Sequence, residues 1–170
     1  MRLFSGKVTP ITGEVVRALV ASGAIEAEKP KEVEADIEAV LKNYLSLERE
    51  VSERAKDVLE RTGRPQSEYQ RVRQLAAQEK GIKIGDEMLD YLLDQVVELL
   101  NHSHNVEEIY VEDVELRRQM APIFKKHMDL DASLDAEVRA QLRHLKEGTR
   151  DWDIEYSRVV DQIKRKKGLV

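Results

Sequence analysis

Apolar residues recur three and four positions apart along almost the whole chain, and the positions between them are mostly Glu, Lys, Arg, Gln and Ala. That spacing lines one face of a helix. It predicts helical stretches over 9–22, 30–45, 47–62, 66–80, 86–102, 112–128, 132–147 and 152–167. No convincing strand alternation appears, so no strand is predicted. Ser5 and Asp86 suit N-caps, Pro30 suits a first helical turn, and Gly63, Gly81, Gly148 and Gly168 suit C-terminal left-handed positions. One-sided stripes such as Val33, Ile37, Val40, Leu41 and Tyr44, or Leu47, Val51, Ala55 and Val58, require helix-on-helix packing. The fold class is all-α, and the very apolar stretch 88–100 is expected at the centre of a unit.

The second four stretches echo the first four. At an offset of 81, Val15-Val16, Leu19 and Ser22 meet Val96-Val97, Leu100 and Ser103; at 83, Ile37 and Leu41 meet Met120 and Phe124. At 87, Glu68-Tyr69, Arg71-Val72 and Lys80-Gly81-Ile82 meet Glu155-Tyr156, Arg158-Val159 and Lys167-Gly168-Leu169. The offset changes only in predicted loops, where insertions are tolerated best. The expected organisation is two tandem, sequence-related four-helix units, residues 1–82 and 83–170. The Gly-bearing seam 79–86 between them turns the chain and allows the units to splay as two arms.

Composition narrows the function classes. With 170 residues and 41% hydrophobic positions the chain can bury a core, and with no cysteine it has neither disulfides nor Cys-ligated metal. No apolar run approaches the roughly 18–20 residues of a bilayer span, and the opening Met1-Arg2-Leu3-Phe4-Ser5-Gly6-Lys7 lacks a signal's apolar region, so a cytoplasmic location is expected. Residues 1–82 carry 14 basic and 14 acidic side chains; residues 83–170 carry 14 and 19, so the net charge of −5 sits in the second expected unit.

Candidate chemistry is sparse. His102 and His104 stand two apart at a helix end, where Asn105 suits a C-cap; they are weak metal candidates, and His127 is a third isolated imidazole. Asp129-x-Asp131-x-Ser133-x-Asp135 opens like a calcium loop but has Leu134 and Ala140 where Gly and Glu are required, so these acids read as a helix start. No nucleophile elbow, phosphate loop or dinucleotide fingerprint is present, and no cofactor is indicated. The repeated polar groups Glu68, Tyr69, Arg71 and Glu155, Tyr156, Arg158 would give one surface presented twice. Lys164, Arg165, Lys166 and Lys167 form the chain's basic cluster, suited to the helix dipole or to a polyanion.

The opening Met1-Arg2-Leu3-Phe4-Ser5-Gly6-Lys7-Val8, with Val15-Val16-Arg17-Ala18-Leu19-Val20 and Gly23-Ala24-Ile25-Glu26, resembles the bacterial family known as domain of unknown function 507. The resemblance spans the whole chain. It implies a mostly helical bacterial cytoplasmic protein and transfers no reaction, ligand or catalytic residue. The leading expectation is a non-enzymatic interaction or adaptor protein with protein partners, homo-oligomerisation remaining open. The alternatives are a nucleic-acid or ribosome-associated protein using the basic C-terminal turn with Arg71, Arg73 and Arg158, and a metal-binding or enzymatic protein using His102, His104 or His127.

Overall fold

The computed structural model describes residues 2–129 and 132–166. Among them are seven α-helices, α1 (Val8–Ala21), α2 (Pro30–Thr62), α3 (Tyr69–Lys80), α4 (Met88–His102), α5 (Asp113–Asp129), α6 (Ala132–Gln141) and α7 (Arg150–Lys166), and two short strands, β1 (Ile25–Glu26) and β2 (Glu108–Ile109). The protein is mostly α-helical. The strands pair antiparallel, Ile25 opposite Ile109 and Glu26 opposite Glu108. Two residues are too few to show a period of two, which is why the sequence pattern contains no trace of them.

The largest departure from expectation is α2. Stretches 30–45 and 47–62 form one helix of 33 residues. Neither Gly nor Pro interrupts it after Pro30, and its buried stripe (Val33, Ile37, Leu41, Tyr44, Val51, Ala55, Leu59) keeps steps of three, four or seven residues through position 46. Nothing in that stretch asks the helix to stop. Conversely, α6 ends at Gln141 rather than 147, and the chain continues in tight turns closed by Leu142 N–H to Arg139 O and Leu145 N–H to Leu142 O. Gly148 follows those turns with φ +88° and caps no helix. Thr149 takes over, its Oγ1 accepting the Trp152 N–H at 3.3 Å to start α7.

Ser5 and Asp86 lie within single 3-10 turns, Ser5–Lys7 and Gly85–Glu87, that lead into α1 and α4; the N-cap positions of these two helices fall to Lys7 and Glu87, neither of which caps its helix through a side-chain bond. Gly81 does end α3 as expected, at φ +73°, a conformation that costs a residue with a Cβ about 1 kcal/mol. Asn105 is not the cap of α4: that place falls to Ser103, in extended conformation. Gly168 lies outside the described residues, as does Asp131 of the acidic stretch.

The chain forms two compact units, but not residues 1–82 and 83–170. Unit 1 is Met1–Leu45 with Gly85–Asp129, and unit 2 is Ser46–Ile84 with Leu130–Val170. Each therefore combines the first or second portion of both expected repeats. In unit 1, α5 packs on α1 and α4 around Ile11, Leu19, Leu92, Leu100, Leu116 and Phe124, all fully buried. The 30–45 part of α2 joins them through Tyr44, whose ring meets Tyr91 at 5.8 Å, and through Glu38, which accepts from Thr9 at 3.2 Å. In unit 2, Ala55, Leu59, Tyr69 and Val72 form a buried cluster, and α6 packs on α7.

Candidate interaction surface

The paired positions expected to present one surface twice are partly internal. Tyr69 is fully buried in unit 2, its hydroxyl donating to Asp153 Oδ2 at 2.9 Å and receiving a bond from Ser52; burial and the Asp153 charge push its ionisation well above the usual tyrosine range. Tyr156 is buried too, bonded to Asp135 and stacked 4.9 Å from Trp152, over which the Arg139 guanidinium sits at 5.3 Å. Burial pushes the Asp135 carboxyl up, but the bonds from Tyr156 and Arg139 outweigh it and leave the carboxyl below its usual range. These tyrosines hold α7 to α3 and to α6. They offer no contact to a partner.

Their charged neighbours differ from each other. Glu155 pairs with Arg158 at 2.6 Å, whereas Glu68 pairs with Arg64 at 3.7 Å and leaves Arg71 exposed. The basic cluster is likewise divided: Lys164 is only 4% exposed, while Arg165 and Lys166 line an open depression with Gln141, Gln162 and Ile163. Lys167 lies outside the described residues.

The imidazoles do not converge. His102 Nδ1 lies 2.8 Å from the Glu98 carbonyl of its own helix, and His104 stands exposed in the following turn. His127 Nε2 meets Glu14 Oε2 at 2.7 Å, with Lys126 Nζ on the other oxygen at 2.6 Å, clamping α5 to α1. Hydrogen bonds from Lys126 and then His127 hold the Glu14 carboxyl below the usual carboxylate range. Among the described residues no three of His, Asp and Glu are placed to share a metal ion.

The exposed chemistry of unit 1 lies around β1 and β2, which were missed from the sequence. Tyr110 is 63% exposed and Val114 74%, the two most exposed large apolar side chains among the described residues. Strand pairing explains why this segment is held: Glu107 N–H donates to Glu26 O at 2.9 Å and Tyr110 N–H to Ala24 O at 2.9 Å. The Tyr110 hydroxyl then reaches Glu26 Oε2 at 2.6 Å, a bond that pushes the phenol's ionisation up. Glu107 Oε2 accepts the Glu28 N–H at 2.7 Å. Among the described residues no Lys, Arg or His pairs with Glu26, Glu28, Glu107, Glu108 or Glu112. A legible signal existed in Val106-Glu107-Glu108-Ile109-Tyr110-Val111-Glu112: an aromatic between helices, set in acids without a basic neighbour.

The sequence profile of the family described as protein of unknown function (DUF507) matches residues 1–169. The chain belongs to this family. No curated protein matches the chain. For this DUF507 chain the compact units, rather than the sequence halves, show where charge resides. Unit 1 has 10 basic and 18 acidic side chains, net −8; unit 2 has 18 and 15, net +3.

Proposed function

We propose that the chain is a non-enzymatic interaction protein of the bacterial cytoplasm, which binds another protein through unit 1. The observation that carries this reading is the exposed Tyr110 and Val114 beside carboxylates that form no ion pair among the described residues. Aromatic side chains held in place against a charged rim are what protein interfaces use as anchors. Affinity capture with the full chain, at native expression and with a bait lacking unit 1's exposed side chains as control, tests it. A bait that recovers nothing above background overturns it.

The reading includes an internal duplication, supported by matched contacts inside unit 1. Ser22 Oγ bonds Gln119 at 2.6 Å and Ser103 Oγ bonds Asp36 at 2.7 Å; Ser22 and Ser103 are 81 apart, Asp36 and Gln119 are 83 apart. Ala24 N–H and Asn105 N–H donate to those same two hydroxyls. Equivalent bonds at equivalent offsets support a common origin for the two stretches.

A second reading, polyanion binding, draws on unit 2. Its net +3 includes Arg49, Arg71, Arg143, Lys146, Arg165 and Lys166, none ion-paired among the described residues. Binding of a single-stranded RNA that is lost between 50 and 200 mM salt, and absent after Arg165→Gln with Lys166→Gln, is its expected signature.

A further inference from the structure

We infer that the face carrying Tyr110 and Val114 takes an arginine-bearing amphipathic segment of the partner, its apolar stripe on the two exposed side chains and its guanidinium groups on the surrounding carboxylates. The inference rests on the interaction reading above and names the chemistry of that partner. Single exposed apolar residues are ordinary on protein surfaces. Here three further observations act together.

The first is that the anchor is already ordered. Backbone pairing fixes Tyr110 at its N–H, and the Glu26 carboxylate holds its hydroxyl at 2.6 Å, so little rotamer freedom remains to be lost on binding. The second is charge. Glu26, Glu28, Glu107, Glu108 and Glu112 lie on the paired strands or within three residues of them, against two nearby bases, Lys29, exposed beside Glu28, and Lys31, paired to Glu34 at 3.3 Å. Such a surface repels a nucleic acid and attracts Lys and Arg. The third is the exposed ring itself. A guanidinium can stack on the free face of Tyr110 while its N–H fork engages a neighbouring carboxylate, which an ammonium cannot do, so Arg is favoured over Lys.

The test uses the full chain and a fluorescein-labelled 18-residue peptide of Arg, Leu and Ala with Leu three and four apart, beside a scrambled peptide of the same composition. Anisotropy at 50 mM salt should show the patterned peptide binding about tenfold more tightly than the scrambled one. The double variant Y110S/V114S, altered only at exposed side chains, should lose about tenfold in affinity with an unchanged thermal midpoint. E107Q/E108Q should weaken binding severalfold and flatten its salt dependence. Amide shifts on titration should concentrate in residues 24–28 and 106–114. Equal binding of the two peptides overturns the inference, as does Y110S/V114S binding like the parent or shifts confined to other parts of unit 1. A cellular partner captured equally by Y110S/V114S would remove this inference while leaving the interaction reading in place; a bait that captures nothing removes both.

Discussion

Removing the Tyr69 hydroxyl tests the internal wiring of unit 2. Arg73 Nε donates to Ser52 Oγ at 3.2 Å, Ser52 bonds the Tyr69 oxygen, and Tyr69 donates to Asp153 at 2.9 Å, so one phenol joins α2, α3 and α7. Tyr69→Phe keeps the ring and its packing. It deletes a hydrogen bond to a charged acceptor, a class of interaction that contributes about 1.5–3 kcal/mol. Asp153 is half-buried, so water can reach the freed carboxylate, which puts the expected loss at the lower end, about 1.5–2 kcal/mol. The assay is urea unfolding followed by fluorescence of Trp152, the single tryptophan, which lies in unit 2. A double-mutant cycle with Asp153→Asn should return a coupling of about 1 kcal/mol or more. A loss below about 0.5 kcal/mol, or a coupling near zero, refutes the bond's role.

The same variant carries a pH signature. A phenol whose ionisation is raised on folding stays protonated in the native state while the unfolded phenol titrates near pH 10. Its contribution is thus intact below that pH and is lost as pH rises above it, toward the folded value. Tyr69→Phe should remove part of the parent's alkaline destabilisation, leaving the share due to Tyr91 and Tyr110, whose ionisation is also raised.

Glu14 gives the opposite limb: its carboxyl is lowered by Lys126 and His127, so its contribution is present above about pH 4.5 and lost as pH falls through the folded value. Glu14→Gln should flatten the acid limb of a stability–pH curve measured by urea midpoints at 222 nm, and an unchanged limb counts against the clamp. Ser22→Ala should cost about 0.5–1.5 kcal/mol, and Ser103→Ala more, about 1.5–2 kcal/mol, because its acceptor is the Asp36 carboxylate rather than an amide. A loss at only one of the two positions in paired denaturation curves would weaken the duplication. Pro122 stands inside α5 on an exposed position and withholds an N–H from the helix, so Pro122→Ala should raise stability by about 1–3 kcal/mol, read as a higher thermal midpoint.

Helix type and the buried stripes were legible because a period near 3.6 is written locally, in residues such as Ile37, Leu41 and Tyr44. The joining of two stretches into α2 follows from the lack of any breaker near Ser46, a negative feature that weighs less than a visible Gly. Which portions close into a unit was not legible: repeat spacing gives equivalence, not partnership, so nothing in the sequence distinguishes α1 packed on α5 from α1 packed on α3. Burial of Tyr69 and Tyr156 was hidden for a similar reason, because a Tyr beside charged residues on a helix suits either a surface or an internal hydrogen bond. Tyr110 stands out in the sequence as an aromatic set in acids between helices, but its pinning by β1 is a contact distant in sequence and was not legible.

Because each compact unit draws on two separated stretches, the order in which the chain leaves the ribosome matters. Unit 1 lacks α4 and α5 until residue 129 has been made, and unit 2 lacks α7 until nearly the last residue. At about 5–20 residues per second, residues 1–84 wait roughly 2–9 s for the next 45. During that time Ile11, Val15, Leu19, Ile37 and Leu41, all buried at the end, lack α4 and α5, the helices that complete their cover. Synthesis therefore presents a nascent half whose apolar faces are only partly covered, and the fold closes only through contacts distant in sequence.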